Sequence, residues 1–376
     1  MINIKDTIYN ITTNIPEAIE VLVNHGFDKL ANPMIRNSIG KTMTLETICK
    51  NKGKDINLII QDIEKAINKS NNISIKGVLP CPIKEQLIEG INKYITTHNI
   101  EVNSDLKAAS AGLDWIINNI HTNNDVANIY MSAGFSLFFD NKIKTMITNN
   151  IFDTIDYKYS NKYIDINLKD PNNNYAIISY VPAIYIVDKT LLNGRPIPNS
   201  WSDLFNPIYS NDISVPMKDL DLYNAVLLNL YAKYGEQGII NFSKGYQKSM
   251  HPASVVKNAY NNKKPLVSIV PAFFATMLKD DTNIAIWPSD GAIVSPIFLL
   301  AKKDERIETK QVLEYLTSDN FANIINENNC FPSTKQSIEN KLIDDKKLMF
   351  CGWEFINNNN ISELLEYLDV LYKGSI

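Results

Sequence analysis

The spacing of apolar residues divides the chain into two stretches with different periods. Between Asn14 and Gly26, Ile19, Leu22 and Val23 recur at helical spacing. Pro16 stands early, Glu17 and Glu20 lie in the first turns, and His25 and Gly26 stand at the end, so a helix capped by Asn14 is predicted there. Thr44 is placed to cap a second helix that Gly53 closes, and 57–68 repeats the spacing through Leu58, Ile59, Ile63 and Ile67. Residues 1–70 therefore read as a small all-α domain. The polar run NKSNN (68–72) breaks structure, and a domain boundary is expected in it.

Beyond that point the apolar runs alternate or are continuous. Strands are predicted at 73–79, 100–102 and 126–131, separated by helices at 83–97, 105–120 and 134–149. This βαβ order implies a parallel sheet with right-handed crossovers. A β-rich run at 175–188, a strand at 212–215, helices at 219–234 and 236–248, and a strand–helix–strand set at 267–271, 272–279 and 283–288 build a second α/β block. The apolar 296–302 and helices at 308–317, 319–327 and 361–372 complete the chain, and these helices, lacking a sheet of their own, are expected to pack back on the first block. A chain that leaves one lobe, builds another and returns has a cleft where strand-to-helix turns converge. Lobe 1 is assigned 73–178 and 286–376, and lobe 2 is assigned 179–285.

Composition narrows the functional classes. At 376 residues, with 45% hydrophobic and 21% charged, two or three domains are expected. Lys plus Arg is 37 against 41 for Asp plus Glu, a net charge of −4, so no nucleic-acid partner is expected. The most apolar stretch, 267–278, is interrupted by Ser268, Pro271 and Thr276 and is shorter than the roughly 20 residues that span a bilayer, so no membrane insertion is expected. The first twenty residues show no apolar leader core, which points to the cytoplasm, or to an extracytoplasmic site if a leader has been removed. Cys49, Cys81, Cys330 and Cys351 form no CxxC, and His25, His98, His121 and His251 form no HxxxH. No zinc site or disulfide framework is legible, and no cofactor or metal is assigned.

Two segments carry a family resemblance: PNSWSDLFNPIYSNDISVP (198–216) and PSDGAIVSPIFLLAKKDERIETKQVLEYLTSDNFANIINENNCFPST (288–334). Taken in order, the Trp-x-Asp-Leu turn, the Gly-Ala step into a strand, Ser-Asp-x-Phe and Phe-Pro-Ser resemble the closing half of substrate-binding proteins of the ferric-iron type of ABC importer. The resemblance covers about 73–376. It implies an α/β, two-lobed type 2 periplasmic-binding-protein-like fold behind the small all-α domain, and non-catalytic binding of a small-molecule ligand. Ferric binders of this family usually present an adjacent tyrosine pair. No Tyr-Tyr occurs here, and the corresponding VKNAYNNKKP (256–265) has Tyr260 alone, so a small organic or oxyanionic ligand is expected ahead of ferric iron. Residues 1–70 resemble a small helical domain of unknown function found alone or fused to redox and iron–sulfur-related proteins. Many members carry cysteines where this chain reads FDKLANPM (27–34), and none stands there, so a metal or redox role does not carry over. An ABC permease or an intracellular protein is the partner expected through 1–70.

Candidate ligand residues sit at strand-to-helix turns. In GVLPCPIKEQ (77–86), Pro80 and Cys81 follow the first strand and open a helix whose positive end suits a small anion. Cys81 is either a reactive thiol at a helix start, which would make the protein an enzyme with Cys81 as nucleophile, or a small buried filler. In MSAGFSLFFD (131–140), Ser132, Ala133, Gly134 and Ser136 offer hydroxyls and a close backbone approach, with helix capping by Ser132 as the competing role. Tyr180 lies in the first crossing segment, Ser254 at a helix start, and Ser289 and Asp290 at the return crossing, where Trp287 reads as core. Arg195 reads as a solvated turn residue. There is no GxSxG, P-loop or GxGxxG. The expected function is capture of a solute between lobes by an intracellular sensor or carrier. The alternatives are an exported transport component and the Cys81 enzyme.

Overall fold

A computed structural model describes residues 2–217, 219–256, 264–278, 281–327, 331–340, 343 and 345–376, without side-chain detail for 67–71, 220 and 256. Two compact units form: 1–73 with 101–103, and 74–100 with 104–376.

The first unit holds helices α1 (Ile8–Asn14), α2 (Glu17–Asn24), α3 (Pro33–Asn37), α4 (Leu45–Lys52) and α5 (Ile56–Asn71). The Thr7 hydroxyl accepts from the Asn10 N–H at 3.2 Å and so starts α1, a helix not predicted. Asn14 therefore ends one helix rather than capping the next, and Pro16, which has no N–H to donate, separates α1 from α2. Thr44 caps α4 as expected, accepting from the Thr47 N–H at 3.2 Å, and Gly53 closes it at φ +61°. Ile8, Leu22, Leu45, Ile59 and Ile63 are fully buried in the core of this unit. Helix α5 runs to Asn71, through most of the polar run 68–72 that was read as structure-breaking, and a strand starts at Ile73.

In the second unit the chain order is β1 (Ile73–Leu79), α6 (Cys81–Thr97), β2 (Val102–Ala108), α7 (Asp114–Ile117), β3 (Ile129–Ala133), α8 (Asn141–Thr148), α9 (Asn161–Asp165) and the long β4 (Ala176–Asp188). Then come β5 (Ile213–Val215), α10 (Leu220–Ser243), β6 (Tyr246–Ser249), α11 (Pro252–Val256), β7 (Val267–Pro271), β8 (Asn283–Ile286) and β9 (Ala292–Ala301). The chain closes with α12 (Ile307–Leu316), α13 (Asp319–Asn326), β10 (Leu348–Met349), α14 (Trp353–Asn358) and α15 (Ile361–Gly374). The strands lie in the order β2-β1-β3-β9-β4-β7-β5-β6, with β8 on β4 and β10 on β9.

Each lobe is built the same way. In lobe 1, β1 and β3 are parallel and β9 runs antiparallel beside β3; in lobe 2, β5, β6 and β7 are parallel and β4 runs antiparallel beside β7. The sheet is therefore mixed rather than all parallel. Strands β4 and β9 cross from lobe to lobe as an antiparallel pair from Ala176↔Leu299 to Ala183↔Ile293, with a register shift between Ile177 and Ser179. Pro182 and Pro296 fall inside that pair, and neither can donate to the ladder. All thirteen residues of β4 are buried, in accord with their unbroken apolar run.

Several predicted helices are displaced. Val102–Ala108 is a strand where a helix over 105–120 was expected, because Gly112, at φ +67°, leaves only the short α7 after it. The helix expected from 134 begins at Asn141, where the Asp140 carboxylate accepts from the Lys142 N–H at 2.8 Å. Gly235, at φ +66°, kinks α10 between the two helices read there, and Tyr246–Ser249 is a strand. Residues 272–277 form a 3-10 helix.

The motifs quoted above have structural roles. Trp201 is buried and its indole donates to the Gly291 carbonyl at 2.9 Å, while the Asp203 carboxylate accepts from the Asn199 and Ser200 N–H groups. Gly291 sits at φ +110°, and a Cβ there would lie 2.6 Å from the Leu348 carbonyl carbon. Ser318 caps α13 through the Phe321 N–H at 3.2 Å, and the Ser179 hydroxyl donates to the Pro332 carbonyl at 2.9 Å.

The C-terminal helices divide between the lobes. Trp353 of α14 joins Phe139, Tyr175 and Phe298 in an aromatic cluster of lobe 1. Helix α15, assigned to lobe 1 from sequence, packs on α10 of lobe 2: Tyr372 meets Tyr223, Phe242 and Tyr246, and the Tyr223 hydroxyl donates to Asp369 at 3.1 Å. The apolar face of α15 needs a partner, and α10 supplies it in the absence of a third sheet face. The buried Tyr372 hydroxyl has no hydrogen-bond partner among the described residues. Tyr372→Phe is thus expected to leave stability unchanged or raise it by up to about 1 kcal/mol. Tyr372→Ala is expected to cost about 3–5 kcal/mol, both read by denaturant melts of the full chain.

Candidate functional site

Strand-to-helix turns of the two lobes meet over the middle of β4 and β9. In lobe 1 the first turn is Pro80, the half-buried residue before α6, followed by Cys81, which is exposed. Ser132 joins this turn to the next strand, its hydroxyl accepting from the Val78 N–H at 3.1 Å and donating to the Val78 carbonyl at 3.2 Å. Its side chain is fully buried, so it ties β1 to β3 and caps no helix. Ala133 is the last residue of β3 and pairs with Ile297.

Gly134 turns the chain at φ +78° and donates its N–H to the Pro296 carbonyl at 2.9 Å. A Cβ at this position would lie 2.2 Å from Oδ1 of Asp221, so only glycine admits the first turn of α10 this close. Two residues on, the Ser136 hydroxyl accepts from the Asn224 amide at 3.1 Å. The Ser295 hydroxyl of the crossing strand donates to the Asp221 carbonyl at 3.2 Å. Gly134 and Ser136 of lobe 1 and Asp221 and Asn224 of lobe 2 thus converge on Ser295–Pro296.

The lobe 2 side is acidic. Asp219 caps α10 through the Leu222 N–H at 3.4 Å, and burial raises its carboxyl above the usual range, against the pull of that N–H and of His251. The Asp221 carboxylate makes no hydrogen bond or ion pair with any described residue. Burial, and then the neighbouring Asp219, hold its carboxyl well above the usual carboxylate range. Sequence reading passed over Asp219, Asp221 and Asn224. The string DLDLYN (219–224) at a helix start carries a recognisable N-cap, but nothing in it marks the carboxylate of Asp221 as facing Gly134.

Other predicted residues lie elsewhere or are engaged. Tyr180 is fully buried and its hydroxyl donates to the Tyr163 hydroxyl at 3.4 Å, within a cluster where the Asn340 amide donates to Tyr163 at 2.9 Å. Ser254 lies in the first turn of α11, half-buried, its N–H on the His251 carbonyl at 2.8 Å. Ser289 is exposed, with its N–H on the Asn199 carbonyl at 2.8 Å. The Asp290 carboxylate accepts from the Trp201 N–H at 3.1 Å and the Tyr234 hydroxyl at 2.5 Å, so it anchors the Trp201 turn instead of facing the converging turns. Trp287 is half-buried and donates to the Lys347 carbonyl at 2.7 Å. Arg195, read as solvated, pairs with Asp212 at 2.5 Å and donates to the Ile208 carbonyl at 2.7 Å. Tyr260 lies outside the described residues. No acid or base is hydrogen-bonded to Cys81 among the described residues, and no group of three or more His, Cys, Asp or Glu is placed to hold a metal among them.

Residues 124–359 match the family model of the bacterial extracellular solute-binding proteins. The chain belongs to this family. As a member, this solute-binding protein has the ABC-transporter-type, periplasmic-binding-protein fold, and its relatives are binding proteins rather than enzymes. Residues 2–60 match a domain of unknown function, DUF1858. No curated protein matches the chain.

Solved structures share the fold at low identity. Ferric iron-binding protein A of Mannheimia haemolytica, in an open conformation, is 15% identical with a TM-score of 0.58, covering 81% of this chain and 99% of its own. The Trichodesmium protein IdiA (FutA), in complex with iron and citrate, is 13% identical with a TM-score of 0.58 over the same shares. A two-component system protein described as mediating signal transduction is 12% identical with a TM-score of 0.58, covering 79% of this chain and 100% of its own. No helix among the described residues of this solute-binding protein is long and apolar enough to cross a membrane.

The raised carboxyl of Asp221 sets a pH dependence. A carboxyl raised by burial is held in its neutral form by the folded state, which therefore binds more protons than the unfolded chain between the ordinary carboxylate range and the raised value. Stability falls as pH rises through that window. Asp221→Asn is expected to flatten this slope and raise the ligand-free Tm at neutral pH by a few degrees, as read by thermal melts from pH 4 to pH 8.

Proposed function

We propose that this protein captures a small organic solute, unaltered, where the β3 turn of lobe 1 meets the start of α10 in lobe 2. The observation that carries this reading is the convergence of Gly134 and Ser136 with Asp221 and Asn224 on the crossing strand β9. A solute touching both sides favours the closed arrangement by its contacts to each. Of the two ligand classes that sequence reading left open, an oxyanion would be repelled by Asp219 and Asp221 wherever either is ionised, so the organic solute is preferred.

Iron is the second reading, favoured by the two oxygen-donor carboxylates and by the fold shared with proteins whose structures are described as ferric binders. The role we propose is an intracellular sensor or carrier. The fold is shared with a protein described as mediating signal transduction, and Cys49, Cys81 and Cys351 are free thiols, as a reducing compartment maintains them. Residues 1–70 would dock its protein partner.

Native mass spectrometry of protein purified from its own cells is expected to show an organic adduct that Gly134→Val loses. X-ray scattering should show wild type contracting when the released compound is returned. An iron adduct would replace the organic reading with the ferric one. Equal retention of the adduct by Gly134→Val would overturn the site.

A further inference from the structure

We infer that Ser136 and Asn224 form a latch that holds the two lobes together on its own, and that capture begins by breaking it. The latch lies at the place proposed above for capture, and its consequence for binding rests on that reading. The Asn224 amide donates to the Ser136 hydroxyl at 3.1 Å, from near the start of α10 in lobe 2 to the turn after β3 in lobe 1. Both partners belong to the chain, so the bond forms without a guest. Beside it, a Cβ on Gly134 would lie 2.2 Å from Oδ1 of Asp221, so the start of α10 already fills the space against that turn.

Two further bonds fix the pivot. The Gly134 N–H donates to the Pro296 carbonyl at 2.9 Å and the Ser295 hydroxyl to the Asp221 carbonyl at 3.2 Å, so both turns hang from neighbouring residues of the crossing strand β9. The Ser136–Asn224 bond instead runs directly from lobe to lobe. The lobes also meet through rings, Tyr231 with Phe355 at 6.2 Å and Phe273 with Phe331 at 5.5 Å between centroids. Ring pairs tolerate centroid separations from about 4.5 to 7 Å, whereas a hydrogen bond is lost once its atoms part beyond about 3.5 Å. A small rotation therefore breaks the latch while the rings stay in contact. Ser136 and Asn224 are half-buried, so water can take up both groups when the bond opens, and the latch stays weak enough for a solute to undo. A solute entering between the turns displaces the start of α10 and gains the freed hydroxyl and amide in exchange.

The test needs no solute. The full chain, stripped of bound compounds by unfolding and refolding, carries spin labels on a ketone-bearing amino acid placed at Thr148, exposed at the end of α8 in lobe 1, and at Gln237, exposed on α10 in lobe 2. Electron–electron double resonance then reads the distance between the lobes. Wild type is expected to show one predominant short distance. Asn224→Ala and Ser136→Ala should each raise the ratio of longer to shorter distances about fivefold, the worth of one neutral hydrogen bond, and the double variant should go no further than either alone. A predominant long distance in wild type, an unchanged ratio in both single variants, or effects that add in the double variant overturn the latch. Loss of the organic adduct in Gly134→Val with distances unmoved by Asn224→Ala would keep the capture site and remove the latch. The expected distance shifts together with an adduct that survives Gly134→Val would keep the latch and remove the capture site.

Discussion

The pairing of β4 with β9 is the interaction on which the rest of the second unit depends. These two strands are the central members of both lobes: β9 carries β3 on one side, and β4 carries β7 and β8. Burial of all their residues lets the apolar run of each strand serve two cores at once. The turns of each lobe are fixed to this pair, directly through Gly134 and Pro296 and through Ser295 and Asp221, so the candidate site is placed by backbone geometry before any ligand contributes.

Much of the architecture was legible because long apolar runs leave little choice. The run at 175–188 reads as a strand and forms β4, the apolar 296–302 falls largely in β9, and the helix whose cap was read at Thr44 falls where that cap puts it. The direction of β4 and β9 was not legible, since a buried strand reads the same in either direction and only the partner decides. The partner of α15 was equally hidden. Its apolar face announces that it must be covered, and the aromatic side chains of α10 that cover it lie more than a hundred residues earlier.

The site was half legible. Gly134 and Ser136 follow from a strand ending in small residues, whereas Asp219 and Asp221 look like an ordinary acidic helix start. What distinguishes Asp221 is its contact with Gly134 across the lobes, a property of three-dimensional surroundings that spacing does not encode. Conversely, Asp290 has the residue type and location of a ligand, yet Trp201 and Tyr234 occupy it. The motifs that carry the family resemblance are scaffold for the same reason: Trp201, Gly291 and Ser318 hold turns and caps, and a scaffold can recur while the cargo changes.

The docking of α15 on α10 bears on how the lobes can move. Two neighbouring strands joined by hydrogen bonds act like a flat strap, which bends readily across its plane and resists twisting within it. A third tie, from α14 in lobe 1 through Asn359 and Asn360 to α15 on lobe 2, lies off that strap. Attachment at points that are not collinear removes rotational freedom, so any swing of one lobe against the other would be confined in amplitude and direction by the length of that short tether.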